Sequence, residues 1–254
     1  MAAVAGAHGR SRSLTGAPVV RVAFRPAVPR AQQSSSTQEE HTCFHGRVPD
    51  EDSPDLLWAL VVPIKPAHDG KTRLAGTANI SRRALAHAFA LDSVHAMLAC
   101  PAVGRLIIVG SLPEAPGDPR LEIVEDPGTG LNPAAEAGLS LVPSDDPVAI
   151  LVADLPALRP EELSRALSAA GSHDRSIICD ADGLGTTTYL TRQRRNARPQ
   201  FGRRSRASHV SAGAVDLKDL VVPGLRCDVD TVIDLWNARR LGVGPHTTGA
   251  LAGH

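Results

Sequence analysis

The sequence predicts an α/β protein: a single three-layer domain built on a mostly parallel, doubly wound sheet. Two observations carry that prediction. Short apolar runs rich in β-branched residues alternate along the chain with longer segments whose apolar residues recur at helical spacing. Several of the short runs are also apolar at every position, as strands covered by helices on both faces must be. With 254 residues, 43% of them hydrophobic, the chain can bury one sizeable core but not two comfortable domains.

Residues 1–54 stand apart. They are rich in Arg, Ser, Ala and Pro, have no acidic residue before Glu39 and show no sustained periodicity. Such a segment buries too little apolar surface to offset its ordering entropy, so it reads as a disordered N-terminal extension. A transit peptide, a basic partner-binding tail and a translation start nearer Val48 are all open readings of it.

The domain is expected over 55–245. Leu56 to Ile64 has the length and branching of a buried strand, with Pro63 at its end where a proline is tolerated. Lys65, Lys71 and Arg73 follow at once, around an Asp69-Gly70 turn signal. In open α/β sheets ligands collect beyond the carboxyl ends of the strands, and three cations there suit a polyphosphate; a solvated surface loop is the other reading. Ser81 to Ala99 carries helix-spaced apolar residues after a candidate Ser81 cap. Arg105–Gly110 and Leu121–Val124 read as strands, and Asn132 opens a helix with Pro133 at its first position. Val148 to Ala153 is wholly apolar, as a central parallel strand would be. Glu161–Ala170 is helical, Ser176–Cys179 a strand, Thr187–Leu190 a further strand candidate, and Thr231–Leu241 an amphipathic helix. Residues 246–254 read as a flexible tail.

Chemistry concentrates at the ends of these elements. Asp154 directly follows the apolar strand, poorly placed for packing and well placed to hold Mg²⁺ in the crevice. Asp228 and Asp230 alternate in an extended Asp-x-Asp, which turns both carboxylates the same way; Asp230 is also placed to be an ordinary helix cap. Asp182 to Thr188 joins flexible backbone to three hydroxyls, and Phe201 to Ser205 adds a glycine, a serine and two guanidinium groups. Together they suit a small phosphorylated acid.

Other classes are disfavoured. No glycine-rich phosphate loop of the P-loop or dinucleotide-binding type is present. The seven arginines from Arg192 to Arg206 are interleaved with a single aromatic, Phe201, and the formal net charge is zero, so nucleic acid is not an expected partner. No apolar run has the length of a membrane helix. Four scattered cysteines without a Cys-x-x-Cys pair indicate neither zinc nor a disulfide framework, and a reducing cytoplasm fits.

Six segments taken in order give the chain a specific resemblance: Lys65 with KTRLA (71–75), GLNPAAEAG (130–138), ADLPAL (153–158), DGLGTTT (182–188), FGRRS (201–205) and LRCDVDT (225–231). These resemble the CofC/FbiD family of guanylyltransferases that act on phosphoenolpyruvate or 2-phospho-L-lactate in coenzyme F420 biosynthesis. The resemblance implies a nucleotidyltransferase-type, Rossmann-like fold that binds GTP and Mg²⁺ and hands its product to a downstream transferase of the same pathway. It assigns Thr188, Gly202 and Ser205 to phosphoenolpyruvate, and Asp154, Asp228 and Asp230 to the metal. It places Lys65, Lys71 and Arg73 at the nucleotide phosphates and Leu131 and Asn132 near the base. Thr187 and Arg203 depart from the family pattern, which often has Gly and Pro there, and their added bulk is expected to tighten the acceptor pocket or alter its choice of acid.

Overall fold

In the computed structural model, residues 56–64 and 81–252 are described. The expected extension over 1–54 lies outside them, as does the loop bearing Lys65, Lys71 and Arg73.

The elements in chain order are β1 (Trp58–Ile64), α1 (Arg82–Ala99), β2 (Val103–Gly110), β3 (Leu121–Val124), α2 (Leu131–Ser140), β4 (Val148–Leu151), α3 (Pro160–Ala170), β5 (Arg175–Cys179), β6 (Thr186–Thr191), α4 (Ser205–Ser211), β7 (Val215–Asp216), α5 (Pro223–Arg226), α6 (Val232–Leu241) and α7 (Pro245–Ala252). The strands form one sheet in the order β3-β2-β1-β4-β6-β5-β7. Its pairs are parallel except those of β6, which runs against both β4 and β5. The expected central strand β4 is therefore parallel to β1 on one side and antiparallel to β6 on the other.

Both faces of the sheet are covered, which is why the strands are apolar at every position. Leu60, Val62, Leu106, Ile108, Ala149 and Leu151 join one cluster with α1 and α3. The alternate residues Val61, Ile107, Val109 and Ile150 join another with α2. Gly138 of α2 lies so close to Val61 and Val109 that only a hydrogen fits there. A smaller cluster from α1 and α6 (Leu85, Phe89, Leu235, Ala238) closes the C-terminal end.

Two local expectations differ. Helix α2 begins at Leu131, after Gly130 at φ 122°, so Pro133 stands at the third position of its first turn rather than at the first position. Of the tail expected over 246–254, residues 246–252 belong to α7 (Pro245–Ala252), which packs against α1. The buried Asp92 carboxylate of α1 accepts the N–H groups of His246 at 3.0 Å and Thr247 at 2.8 Å, capping α7 from another helix.

Candidate active site

The carboxyl ends of β1, β4 and β5 and the start of β6 open into a cavity of about 940 Å³. Asp154, Asp180, Asp228 and Asp230 line it, with Thr186, Phe201, Gly202, Ser205 and Leu131.

Local bonds explain how carboxylates so distant in sequence meet. Val229 N–H donates to the Asp154 carbonyl at 3.0 Å, so the two acidic segments are bonded to each other through their backbones. Asp154 is gripped from the other side by Ser93, a fully buried hydroxyl on α1. Ser93 Oγ accepts Leu155 N–H at 3.0 Å, and its single proton is shared between the Phe89 carbonyl at 2.8 Å and the Ala153 carbonyl at 3.0 Å, so the peptides on both sides of Asp154 meet at one hydroxyl. The approach to Asp228 is held as firmly. Leu225 donates its N–H to the buried Glu162 carboxylate at 3.0 Å and accepts the Thr187 hydroxyl at 2.7 Å. The next residue, Arg226, donates to the Cys179 sulfur at 2.7 Å and to the Leu217 carbonyl at 2.8 Å.

Asp230 does not cap the helix that follows it. Thr231 is the cap, in a reciprocal box with Asp234, and Asp230 lines the cavity.

Electrostatics mark Asp228. Burial raises its carboxyl to about 8, and the negative charges of Asp154, Asp230 and Asp180 push the same way. Such a donor set fits a hard divalent cation, whose charge would relieve the repulsion. Among the described residues no group of three or more His, Cys, Asp or Glu side chains is placed to hold a metal ion together. That suits a cation that takes one or two carboxylates and completes its shell with phosphate oxygens and water.

The opposite wall is equally built. Asp180 closes its own loop, accepting the N–H of Leu184 at 2.9 Å and of Gly185 at 2.6 Å. A Cβ at Gly185 would collide with that carboxylate. Asn132 holds Phe201 at both ends: its amide NH₂ donates to Phe201 O at 3.0 Å and its oxygen accepts Phe201 N–H at 2.8 Å. Gly202 follows at φ 141°, a backbone that an L side chain rarely adopts.

The sequence-predicted residues divide accordingly. Asp154, Asp228, Asp230, Gly202, Ser205 and Leu131 share the cavity, while Lys65, Lys71 and Arg73 lie outside the described residues. Thr188 is not on the wall: it is fully buried in β6, paired with Leu151 and Ile178, and Thr186 lines the cavity instead. The reason is a bulge, since Cys179 pairs with Thr186 and Ile178 with Thr188, leaving Thr187 as the extra residue. Asn132 is likewise absent from the cavity wall and acts as the clamp on Phe201. Of the two departures, Thr187 is buried and tied to Leu225 and Arg203 is exposed; neither is among the cavity-lining residues, so neither tightens the pocket by contact.

Asp180 and Thr186 escaped the sequence reading as individual site residues. Asp180 follows an apolar strand just as Asp154 does, and that signal could have found it. Part of the arginine run is engaged internally: Arg195 pairs with Asp145 and Arg206 with Asp216.

A sheet of this order with an acidic cleft at its carboxyl edge defines a nucleotidyltransferase-type fold. The architecture is shared with a nucleotidyl transferase from Methanothermobacter (TM-score 0.52, 15% identity, 74% of this chain and 97% of that one). It is also shared with a 4-diphosphocytidyl-2C-methyl-D-erythritol synthase (TM-score 0.50, 15% identity, covering 74% and 99%). Residues 58–241 match the family described as guanylyl transferase CofC like, and the chain belongs to that family of nucleotidyltransferases. Among relatives, the phosphoenolpyruvate guanylyltransferase of Streptomyces coelicolor is 43% identical over 207 residues, covering 78% of this chain and 97% of the relative. That of Thermomonospora curvata is 43% identical over 205 residues, covering 78% and 90%.

Proposed function

We propose that this protein transfers GMP from GTP to phosphoenolpyruvate, releasing pyrophosphate and forming enolpyruvyl-diphospho-5′-guanosine for coenzyme F420 biosynthesis. The reading rests on family membership and on relatives named for this reaction. The single structural observation that carries it is the Val229-to-Asp154 backbone bond, which unites two acidic segments beside a wall of hydroxyl and backbone donors.

The acceptor phosphate has a second pKa of roughly 6 and is already an oxyanion, so the transfer needs no general base. What the protein must supply is alignment of that oxyanion with the α-phosphorus and stabilisation of the charge that gathers on pyrophosphate. Thr186, Gly202 and Ser205 would hold the acceptor, with Thr186 taking the part that the resemblance gives to Thr188. Lys65, Lys71 and Arg73 would meet the nucleotide phosphates, and Leu131 would pack near the base. Asp154, Asp228 and Asp230 are the carboxylates from which one or two would hold Mg²⁺, with phosphate oxygens and water completing its shell. When bound, the cation would neutralise phosphate charge.

The product is an activated phosphoanhydride, so a downstream transferase must consume it. The cysteines among the described residues are free and buried, as suits a reducing compartment, and we place the reaction in the cytoplasm. Among the described residues no helix is long and apolar enough to cross a membrane. The test is to incubate the purified protein and Mg²⁺ with each NTP and with phosphoenolpyruvate or 2-phospho-L-lactate, weighing the adduct and measuring pyrophosphate. A guanylylated phosphoenolpyruvate is expected; turnover with 2-phospho-L-lactate only, or with another nucleotide only, would overturn the assignment.

A further inference from the structure

His209 lies in α4, is fully buried, and has no part in the proposed transfer. Its environment nevertheless determines where its proton sits. Gln200 N–H points at Nε2 from 2.8 Å, and a backbone N–H can only donate, so Nε2 must be bare. In a neutral ring the proton is then on Nδ1, which stands 3.0 Å from Thr186 Oγ1. Burial pushes the ring down to about 4, which keeps it neutral around pH 7. Tyr189 at 4.9 Å and Phe201 at 5.3 Å, the latter edge-on, hold the ring between them.

The consequence falls on Thr186. Its oxygen accepts from Nδ1–H, so its own proton must be directed elsewhere, and Thr186 lines the cavity. The same imidazole, through Gln200, anchors the backbone that leads into Phe201 and Gly202 of the opposite wall.

We propose that His209 is a positioning residue: it commits the Thr186 hydroxyl to act as a donor toward an anionic oxygen of the phosphorylated acid acceptor, while pinning the Gln200–Gly202 wall. The proposal rests on the reading that this side of the cavity binds the acceptor. Charge selectivity on that side then comes from a chain of hydrogen bonds whose direction is set by one backbone N–H.

Steady-state kinetics with phosphoenolpyruvate and GTP varied separately test it. Thr186→Val keeps the shape and loses the donor; KM for phosphoenolpyruvate should rise roughly ten- to hundredfold, the range for a hydrogen bond to a charged group. KM for GTP should stay within about twofold, and Thr186→Ser should restore most of the loss. His209→Asn keeps an N–H near the Nδ1 position and should fall between wild type and His209→Ala. In the Thr186→Val background, His209→Ala should cost less than it does in wild type, because both act through one hydroxyl. An unchanged KM for phosphoenolpyruvate in Thr186→Val, or an equal rise for both substrates, overturns the proposal, and this arm stands even if His209→Ala does not fold. Imidazole ¹⁵N shifts give a readout independent of turnover: an Nδ1–H neutral ring at about pH 7 is required, and an Nε2–H tautomer or an imidazolium overturns the proposal. If wild type transfers nothing to phosphoenolpyruvate, the functional reading fails by itself, and the ¹⁵N result still decides the hydrogen-bond direction.

Discussion

Replacing Asp228 with Asn should abolish transfer and yet stabilise the metal-free protein. Its carboxyl ionises near 4 in the unfolded chain and at about 8 in the fold, raised first by burial and then by Asp154, Asp230 and Asp180. Between those values the native state keeps a proton that the unfolded state has released. Stability therefore falls as pH rises through the window, and the penalty is complete above about pH 8. Four pKa units correspond to an upper bound of about 5 kcal/mol, and water in the open cavity screens this to about a third, roughly 1–2 kcal/mol. For a domain of this size that is a melting-temperature gain of roughly 3–6 °C. Thermal melts without divalent metal should show the Asn variant level with wild type at about pH 4 and progressively above it toward about pH 8.5. Mg²⁺ should raise the wild type and leave the variant nearly unmoved. Pyrophosphate release should drop more than about a hundredfold. A variant that melts below wild type at the alkaline end, a pH-independent gap, or turnover within about tenfold of wild type would refute the reasoning.

Other consequences can be measured directly. Ser93→Ala leaves the Leu155 N–H without its acceptor inside the core; it should cost about 1–3 kcal/mol in urea unfolding and lower kcat by loosening Asp154. Because His209 is depressed to about 4, it withdraws stability as pH falls from about 6.5 to about 4, on the order of 2–3 kcal/mol. Urea midpoints over that range should show the slope in wild type and lose it in His209→Gln. Gly138→Ala would set a methyl 2.9 Å from Val109 and closer still to Val61; a loss of roughly 1–3 kcal/mol in thermal unfolding is expected.

Strands β1, β2 and β4 were legible because burial on both faces demands unbroken apolar runs, and helices α1, α2, α3 and α6 because their apolar residues recur at helical spacing. The reversed direction of β6 was not legible, since a buried strand has the same composition whichever way it runs. Helix α7 was missed because its support is a carboxylate more than 150 residues away, with Gly249 and two threonines giving weak helical preference. Thr188 was assigned from the resemblance, and the bulge at Thr187 that turns Thr186 toward the cavity instead leaves no trace in a run of three threonines. Asp154 and Asp228 were recognised from their positions beside a strand and a helix.

The chain's own order of residues determined the layered class, the strands of the core and the family, all of which depend on patterns within a few neighbouring positions. Only the tertiary structure decided that Asp180 joins the cleft, that Thr186 rather than Thr188 faces it, and that Ser93, Glu162 and His209 hold its walls. Those outcomes depend on hydrogen bonds between segments far apart in sequence, whose donors and acceptors look the same in any unfolded chain until packing brings them together.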